Sequence, residues 1–244
     1  MAFRNARNAL CPFLAALPLL APSAPAFAAD LPKGFVRLSE VDPSIRQDMR
    51  YAGSDNFLGR PVKGYDAASC ILTNAAAKAL SGVQKMLVAD GLTLVVFDCY
   101  RPVRAVADMA AWTMHGGAPD ARWYPRLRRD SLVALGYVAS QSAHSRGSTV
   151  DLAVAPLDGS GLGAPACGAT DAGTLDFGTG FDCFDAASET RSDLVGALAA
   201  QNRATLLDAM QAGGFANYAR EWWHFTLRDE PFPKTHFDFP VALP

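Results

Sequence analysis

Apolar residues recur at helical spacing in the segment that follows Thr73 and Asn74, either of which can cap a helix. We expect this helix to continue to about Asp90, where Gly91 ends it. The next residues, Leu92–Phe97, form a short apolar run of β-prone side chains, which predicts a buried strand. The first half of the chain therefore contains at least one long helix and one buried strand.

Similar patterns continue through the rest of the chain. Pro102 suits the first position of a second helix, which we expect to end near Met114. Thr149–Val154 predicts a strand, Asp193–Gln211 a helix in one or two pieces, and Glu221–Leu227 an aromatic strand. Because helices and strands mix without a regular βαβ rhythm, we expect an α+β fold with a mainly antiparallel sheet.

Three irregular segments separate these elements. Asp48–Tyr65 is rich in turn-forming residues and predicts an extended arm without regular structure. Ser131–Ser140 has only a weak helical pattern. Pro156–Asp182 is long and rich in glycine. A loop of this length in a compact domain is usually functional or disordered. A bond between Cys167 and Cys183 would favour a functional role, so we expect the loop to form a lid or wall of a binding site.

The composition is that of an ordinary globular protein, with 244 residues of which 50% are hydrophobic and 19% charged. This length suits one domain, or at most two small ones, and we expect a single domain. The formal net charge is −2 and no long basic block occurs, so nucleic acid is not an expected partner. None of these patterns predicts the oligomeric state.

The N-terminus has the features of a secretory signal peptide. Two arginines precede an apolar stretch, Leu10–Leu20, and the small-x-small sequence Ala26–Ala28 follows. We expect residues 1–28 to be removed and residues 29–244 to form the exported domain, located in the bacterial periplasm and not attached to the membrane. The alternative is an uncleaved membrane anchor, for which the apolar stretch is short and broken by proline.

Export changes the interpretation of the cysteines. Removal of Cys11 leaves Cys70, Cys99, Cys167 and Cys183. An even number in an oxidising compartment predicts two disulfides, and three pairings are possible. We favour the pairs nearest in sequence, Cys70–Cys99 and Cys167–Cys183, each of which would stabilise the fold by about 3 kcal/mol. A four-cysteine zinc site is the alternative, but the C-x-x-C spacing typical of such sites is missing.

Two histidine-containing segments carry the strongest chemical signal. A catalytic zinc needs three protein ligands and one open position for water, and His144, Asp151 and His224 offer such a set. Gly147 allows a tight turn between the first two. A carboxylate must also take the proton of the water, and Glu221 lies three residues before His224. We therefore predict a zinc site with Glu221 as general base and acid.

A cation is needed for the negative charge that develops on the carbonyl oxygen. Arg101 follows the predicted strand Leu92–Phe97, where a guanidinium can be held rigidly. Alternatively, Arg101 forms a surface ion pair with Asp98, which would contribute about 0–1 kcal/mol. Trp222 and Trp223 could both be plain core residues, and we expect at least one of them to be.

Other interpretations of the polar residues are weaker. Ser142, His144 and Asp151 could form a serine-hydrolase triad, but no G-x-S-x-G elbow supports one. His115 is at the glycine-rich end of a predicted helix and is typical of a C-terminal cap. His236 lies in a tail rich in proline and aromatic residues. We expect neither of these two histidines to bind metal.

The two motifs are similar to those of a family of zinc peptidases that includes VanX-type D-Ala-D-Ala dipeptidases, D,D-carboxypeptidases and Hedgehog signalling domains. The family pattern is S-x-H-x-x-G-x-A-x-D, followed later by E-x-x-H. Thr149 stands where the pattern has alanine, a small change that concerns packing rather than chemistry. The other pattern positions are occupied by Ser142, His144, Gly147, Asp151, Glu221 and His224.

The chain resembles the VanX-type dipeptidases from about Asp48 to Val241. Their cytoplasmic members have glycine where this chain has Cys99, a departure that fits an exported, disulfide-bonded relative. The resemblance implies a small antiparallel sheet flanked by helices, with the zinc in a cleft across it. The matching stretches include Tyr100–Pro102 and His144–Ser148. The most specific match is the tail, with Glu221–His224, Leu227–Pro231 and Phe237–Pro240.

The resemblance also implies roles for individual residues. His144, Asp151 and His224 match the ligands of one zinc ion per chain. Glu221 matches the catalytic base, and Arg101 matches the arginine that stabilises the transition state.

Two further residues match the substrate-binding positions of the family. Asp182 matches an acidic residue that holds the free ammonium of the substrate, and Ser142 matches a serine near the same end. Longer peptides would leave a buried Asp182 carboxylate unpaired, at a cost on the order of 1–3 kcal/mol. This explains in physical terms how a dipeptidase rejects them.

The expected activity is therefore zinc-dependent hydrolysis of the dipeptide D-alanyl-D-alanine to two D-alanines, in cell-wall turnover or glycopeptide resistance. One alternative is a D,D-carboxypeptidase that trims longer peptidoglycan peptides. A second is a non-catalytic, zinc-stabilised module that binds the cell wall. The presence of both Glu221 and Arg101 argues against the second alternative, because binding alone needs neither residue.

Overall fold

The computed structural model describes residues 1–2, 31–161, 165–169 and 173–243. The predicted signal peptide falls almost wholly on residues 3–30, which lie outside the described residues. In the described part of the chain, no helix is both long and apolar enough to cross a bilayer.

The fold is built on a five-stranded sheet and a two-stranded sheet. The five strands lie in the order β2-β4-β5-β7-β6, and every neighbouring pair is antiparallel except β2 and β4. The two-stranded sheet pairs β1 with β3, also antiparallel. The strands are β1 (Phe35–Arg37), β2 (Arg46–Gln47), β3 (Ile71–Thr73), β4 (Leu92–Asp98), β5 (Thr149–Pro156), β6 (Phe215–Asn217) and β7 (His224–Leu227).

Helices pack beside the sheets, which confirms the predicted α+β class with a mainly antiparallel sheet. The central strands β4 and β5 are buried along nearly their whole length. Such continuous burial explains why their sequences are apolar without alternation. The helices are α1 (Leu38–Val41), α2 (Asn74–Ala89), α3 (Val103–Thr113) and α4 (Ala197–Ala212).

Helix α2 forms as its sequence predicts. Thr73 is the N-cap, and its hydroxyl accepts a 3.3 Å hydrogen bond from the backbone N–H of Ala76. The apolar stripe that includes Leu80, Val83 and Leu87 is buried against β4 and α4. Gly91 follows with φ +75°, a left-handed conformation that glycine adopts at little cost.

Three element boundaries differ from the predictions. Pro102 is the N-cap of α3 rather than its first helical residue, because its ψ of 148° is extended. Helix α4 is a single piece that begins at Ala197, after an extended Gly196, and not at Asp193. Strand β7 begins at His224, since the three residues from Glu221 form a turn.

The shortest elements were missed by the sequence patterns. Strands β1, β2, β3 and β6 and helix α1 have two to four residues each. A segment of that length cannot display a full period of either helix or strand, and it forms because a neighbouring strand or helix is already in place.

Two disulfides connect segments that are close in sequence. The structure joins Cys70 to Cys99 and Cys167 to Cys183, the local pairing that the sequence favours. The second bond joins Cys167, in the segment 156–182, to Cys183 just after it, and the described residues of that segment beyond β5 contain no helix or strand. In this segment Gly168 packs directly on the backbone of Gly180, where a Cβ atom would not fit.

Candidate active site

The three predicted metal ligands meet beside β5 and β7, two inner strands of the five-stranded sheet. Asp151 on β5 lies directly opposite His224 on β7 in the strand register. His144 belongs to a 3-10 turn, Ala143–Arg146, that precedes β5. Gly147 ends this turn with φ +80° and so redirects the chain into β5. Neighbouring strands thus bring together side chains that are far apart in sequence.

The geometry of these three groups fits a tetrahedral zinc ion. Oδ1 of Asp151 lies 3.2 Å from Nε2 of His144 and 3.0 Å from Nδ1 of His224, and the two nitrogens are 3.2 Å apart. Ligand atoms at roughly 2.0–2.1 Å from a tetrahedral zinc lie about 3.3 Å from one another. In the described structure Oδ1 of Asp151 is buried without a hydrogen-bond partner, so a cation between the three groups would satisfy it.

The surroundings of the three candidate ligands favour forms that can bind a metal ion. Nδ1 of His144 is 2.7 Å from the carbonyl oxygen of Cys99, so Nδ1 donates and Nε2 carries the free lone pair. Burial lowers the pKa of His224, which favours its neutral imidazole. Burial opposes ionisation of Asp151, but the adjacent imidazoles outweigh it and hold the pKa of Asp151 well below its usual value.

Glu221 lies beside the metal ligands without belonging to them. Its Oε2 is 3.6 Å from Nδ1 of His224, and the side chain is nearly buried. Asn217 holds the turn between these two residues, because its amide donates to the carbonyls of Glu221 at 3.0 Å and His224 at 3.1 Å. Burial and the negative charge of the nearby Asp151 raise the pKa of Glu221 well above its usual value.

Arg101 is anchored at the same site by a buried carboxylate. Its guanidinium lies 2.9 Å from Oδ2 of Asp98, a residue without solvent exposure. Tyr65 donates a 2.6 Å hydrogen bond to the other oxygen of Asp98. The Asp98 pair considered from the sequence therefore exists, but not on the surface. It aims Arg101 towards Asp151, whose Oδ2 is 3.4 Å away.

Asp182 lies in the same cavity with a strained backbone. Its φ of 60° is the only positive value at a non-glycine residue in the described parts of the chain. The carboxyl accepts a 2.7 Å hydrogen bond from the hydroxyl of Tyr51. Burial raises the pKa of Asp182 well above its usual value, so a ligand with a positive charge would be needed to stabilise the ionised form.

Ser142 lines the cavity as well, and its hydroxyl caps the 3-10 turn by accepting a 3.3 Å hydrogen bond from the N–H of His144. The imidazole of His144 is directed to the Cys99 carbonyl and the metal ligands instead, so the serine-hydrolase triad does not form.

His115 and the two tryptophans have structural roles. Nδ1 of His115 lies 3.0 Å from the carbonyl of Ala111, which caps the end of α3. His236 is outside the metal cluster. Trp222 and Trp223 are both buried in the core.

The cavity has a volume of about 240 Å³, below the roughly 300–1,000 Å³ of sites for drug-sized ligands. Apolar side chains that could receive methyl groups line it, namely Phe57, Met109, Val138 and Phe184. Of the described residues in the predicted lid 156–182, Asp182 alone reaches the cavity. Residues 136–139 and 141–143, which lead into the 3-10 turn of His144, form much of the wall instead.

Several contributing groups had no signal in the sequence. Tyr51, Asn217 and the Cys99 carbonyl act through partners that are distant in the chain or through backbone atoms. The tyrosine lies in the arm predicted to be irregular, where a single 3-10 turn, Arg50–Ala52, buries it.

Two histidines and one aspartate converge on a mixed sheet, and a glutamate that is not among the candidate ligands lies beside them. This arrangement defines the site of a metallopeptidase. The chain belongs to the D-Ala-D-Ala dipeptidase family, whose model matches residues 32–242. This confirms the resemblance drawn from the motifs.

Individual relatives match over most of their length. A D-alanyl-D-alanine dipeptidase of Enterococcus faecalis is 39% identical over 86% of this chain and 98% of the relative. The D-alanyl-D-alanine dipeptidase of Streptomyces coelicolor is 40% identical over 85% and 98%. A third, from Escherichia coli, is 32% identical over 79% and 83%.

Proposed function

We propose that this protein is a zinc-dependent dipeptidase that hydrolyses D-alanyl-D-alanine to two molecules of D-alanine. The observation that carries the proposal is the convergence of His144, Asp151 and His224 in one small cavity with Glu221 and Asp182. The family and the names of the relatives support the substrate.

Zinc is the metal that best suits the donor set. Two imidazole nitrogens and one carboxylate oxygen at tetrahedral separations match zinc, whereas magnesium and calcium prefer oxygen ligands. When bound, a zinc ion supplies a Lewis acid that polarises the scissile carbonyl and lowers the pKa of water from about 15.7 to about 7. One ion per chain would be held by His144, Asp151 and His224.

Two residues of the chain handle the proton of the attacking water and the negative charge that develops on the carbonyl oxygen. Glu221 accepts a proton from the water that attacks the peptide carbonyl, and it returns the proton to the amine as the C–N bond breaks. Its raised pKa lets Glu221 hold the transferred proton more firmly than an ordinary carboxylate would. The Arg101 guanidinium, held by Asp98, stabilises the negative charge on the carbonyl oxygen.

Asp182 supplies the preference for a free dipeptide. Its carboxylate, oriented by Tyr51, pairs with the ammonium of the substrate, and Ser142 lies at the same end of the cavity. An N-acylated peptide has no ammonium and would leave Asp182 buried and unpaired. The small cavity adds a steric limit, which argues against trimming of long cell-wall peptides.

The place of action that we propose is the bacterial periplasm. The support is the signal-peptide pattern of residues 1–28 together with two disulfides, which persist in oxidising compartments. D-Ala-D-Ala released from the cell wall would be the substrate there.

A substrate panel tests the proposal. The mature protein is incubated with D-Ala-D-Ala, L-Ala-L-Ala, N-acetyl-D-Ala-D-Ala and a peptidoglycan pentapeptide, each with and without a chelator, and released alanine is measured. We expect rapid turnover of D-Ala-D-Ala alone, lost with chelator and restored by zinc. Faster release from the pentapeptide would identify a D,D-carboxypeptidase, and a lack of turnover with every substrate would indicate a binding module.

A further inference from the structure

Each disulfide ends beside a different residue of the candidate site. Cys99 supplies the carbonyl oxygen that orients His144, at 2.7 Å from Nδ1. Cys183 directly follows Asp182 in the chain. One disulfide therefore adjoins the metal ligands, and the other adjoins the carboxylate assigned to the substrate ammonium.

The Cys70–Cys99 bond holds backbone that the sheet does not. Pairing of β4 with β5 ends at Asp98, so the Cys99 carbonyl lies just beyond the ladder. Two links hold this short extension to one neighbouring segment: the disulfide to Cys70, and the 2.9 Å hydrogen bond from the N–H of Tyr100 to the carbonyl of Ile71. Both cysteines are without solvent exposure. Loss of the disulfide removes the covalent link and leaves only hydrogen bonds of the following residues to place the carbonyl, such as those from Tyr100 to Ile71 and from the N–H of Arg101 to the His144 carbonyl at 3.3 Å.

The Cys167–Cys183 bond surrounds a strained residue. A non-glycine residue at φ 60° persists only where its neighbours over-determine its conformation. On the N-terminal side, the N–H of Gly180 donates to the Cys167 carbonyl at 2.7 Å, and the N–H of Ala169 donates to the Phe181 carbonyl at 2.8 Å. On the C-terminal side, the hydroxyl of Ser188 donates to the Cys183 carbonyl at 2.6 Å. The disulfide joins these two sides across Asp182.

We propose that the two disulfides are separate positioning elements of the active site. Cys70–Cys99 places the carbonyl that fixes the tautomer and orientation of His144, and thereby sets the affinity for zinc. Cys167–Cys183 holds the backbone of Asp182, and thereby sets the affinity for the substrate ammonium. The second statement rests on the proposed function, whereas the first concerns metal binding alone.

Paired substitutions of the mature protein separate the two effects. Cys70→Ala/Cys99→Ala should raise the zinc dissociation constant at least tenfold, measured by competition with a chromophoric chelator, while KM for D-Ala-D-Ala in saturating zinc changes less than about threefold. Cys167→Ala/Cys183→Ala should show the reverse, with KM raised at least tenfold and zinc affinity within about threefold of the parent. Each variant is the control for the other, because both lose one disulfide.

A purely structural role would lower Tm in both variants without this separation, and would overturn the proposal. Parent-like zinc affinity in folded Cys70→Ala/Cys99→Ala would overturn its first part.

If a variant does not fold, the parent protein is reduced stepwise instead, alkylation of each pair is followed by mass spectrometry, and zinc release is measured in parallel. Zinc retained after alkylation of Cys70 and Cys99 overturns the first part, and an unchanged KM after alkylation of Cys167 and Cys183 overturns the second. A parent that binds zinc but does not cleave D-Ala-D-Ala would refute the proposed function while leaving the first part testable.

Discussion

Oδ1 of Asp151 lies 3.0 Å from Nδ1 of His224, on directly opposed positions of β5 and β7. The carboxylate oxygen is buried and has no hydrogen-bond partner among the described residues. An ionised oxygen in that condition costs several kcal/mol unless a cation or donor approaches it. The site is thus arranged for an ion, and its ligands can be tested one at a time.

Substitution His144→Ala should abolish metal binding. Removal of one of three ligands leaves two groups that cannot hold zinc tightly, so we expect the zinc content to fall from one ion per chain to less than about 0.1 after dialysis. His115→Ala, which removes an exposed histidine at the end of α3, is the matched control and should keep its zinc. Full zinc content in His144→Ala, measured by atomic emission, would disprove the ligand set.

Substitution Glu221→Gln should separate binding from catalysis. Glutamine keeps the size of the side chain but cannot accept the proton of water, so kcat for D-Ala-D-Ala should fall about 10²- to 10⁴-fold. Zinc content and KM should remain close to those of the parent. Glu40→Gln, at an exposed position of α1, should change neither value.

A Glu221→Gln variant that turns over D-Ala-D-Ala near the parental rate would show that another group moves the proton. Comparable loss of zinc and activity would instead place Glu221 among the ligands.

The sequence predicted the long elements and the motif residues because both have local signatures. Helix α2 has an apolar stripe and a cap, and the spacing of His144 and Asp151 around Gly147 is compact enough to recognise. His224 was predicted to join them from its position three residues after Glu221 and from the family resemblance, and the register of β5 with β7 shows how it reaches Asp151.

The supporting groups could not be predicted in the same way. The Cys99 carbonyl is a backbone atom, which no side-chain pattern can indicate. Tyr51 reaches Asp182 across 131 positions of sequence, from an arm whose composition predicts only turns. Such contacts are decided by tertiary packing, and they supply the orientation on which the motif residues depend.

Substitution Asp182→Asn should weaken recognition of the free dipeptide. Asparagine also tolerates φ 60°, so the backbone is kept and only the charge is lost. A hydrogen bond between charged groups contributes about 1.5–3 kcal/mol, so KM for D-Ala-D-Ala should rise about 10- to 100-fold, with a smaller change in kcat. An unchanged KM would exclude Asp182 as the ammonium partner.

The pH dependence of KM gives a second test of Asp182. Burial raises the pKa of this carboxyl in the free protein, so it takes up a proton as pH falls through that raised value and then no longer attracts the ammonium. KM of the parent should therefore rise with decreasing pH. Asp182→Asn has no such group and should show a flatter profile, and identical profiles for the two proteins would contradict the assignment.

Two glycine substitutions should separate backbone strain from steric overlap. Gly59 and Gly147 have similar positive φ values, +70° and +80°. A Cβ on Gly59 would meet nothing within 4 Å, whereas a Cβ on Gly147 would overlap the ring of Phe35. Left-handed backbone costs a non-glycine residue about 1–2 kcal/mol, and forced overpacking adds about 1–3 kcal/mol.

The free energy of unfolding, measured by urea titration of the zinc-free protein, should therefore fall by about 1 kcal/mol in Gly59→Ala and by about 2–5 kcal/mol in Gly147→Ala. Phe35 packs against Tyr100, Phe237 and Phe239, so its ring cannot move aside without disturbing them. Equal losses of unfolding free energy in the two variants would mean that the aromatic cluster around Phe35 can shift at little cost to make room for the added methyl group. Since Gly147 closes the turn that carries His144, Gly147→Ala alone should also weaken zinc binding, and parental zinc affinity in that variant would show that the turn tolerates the change.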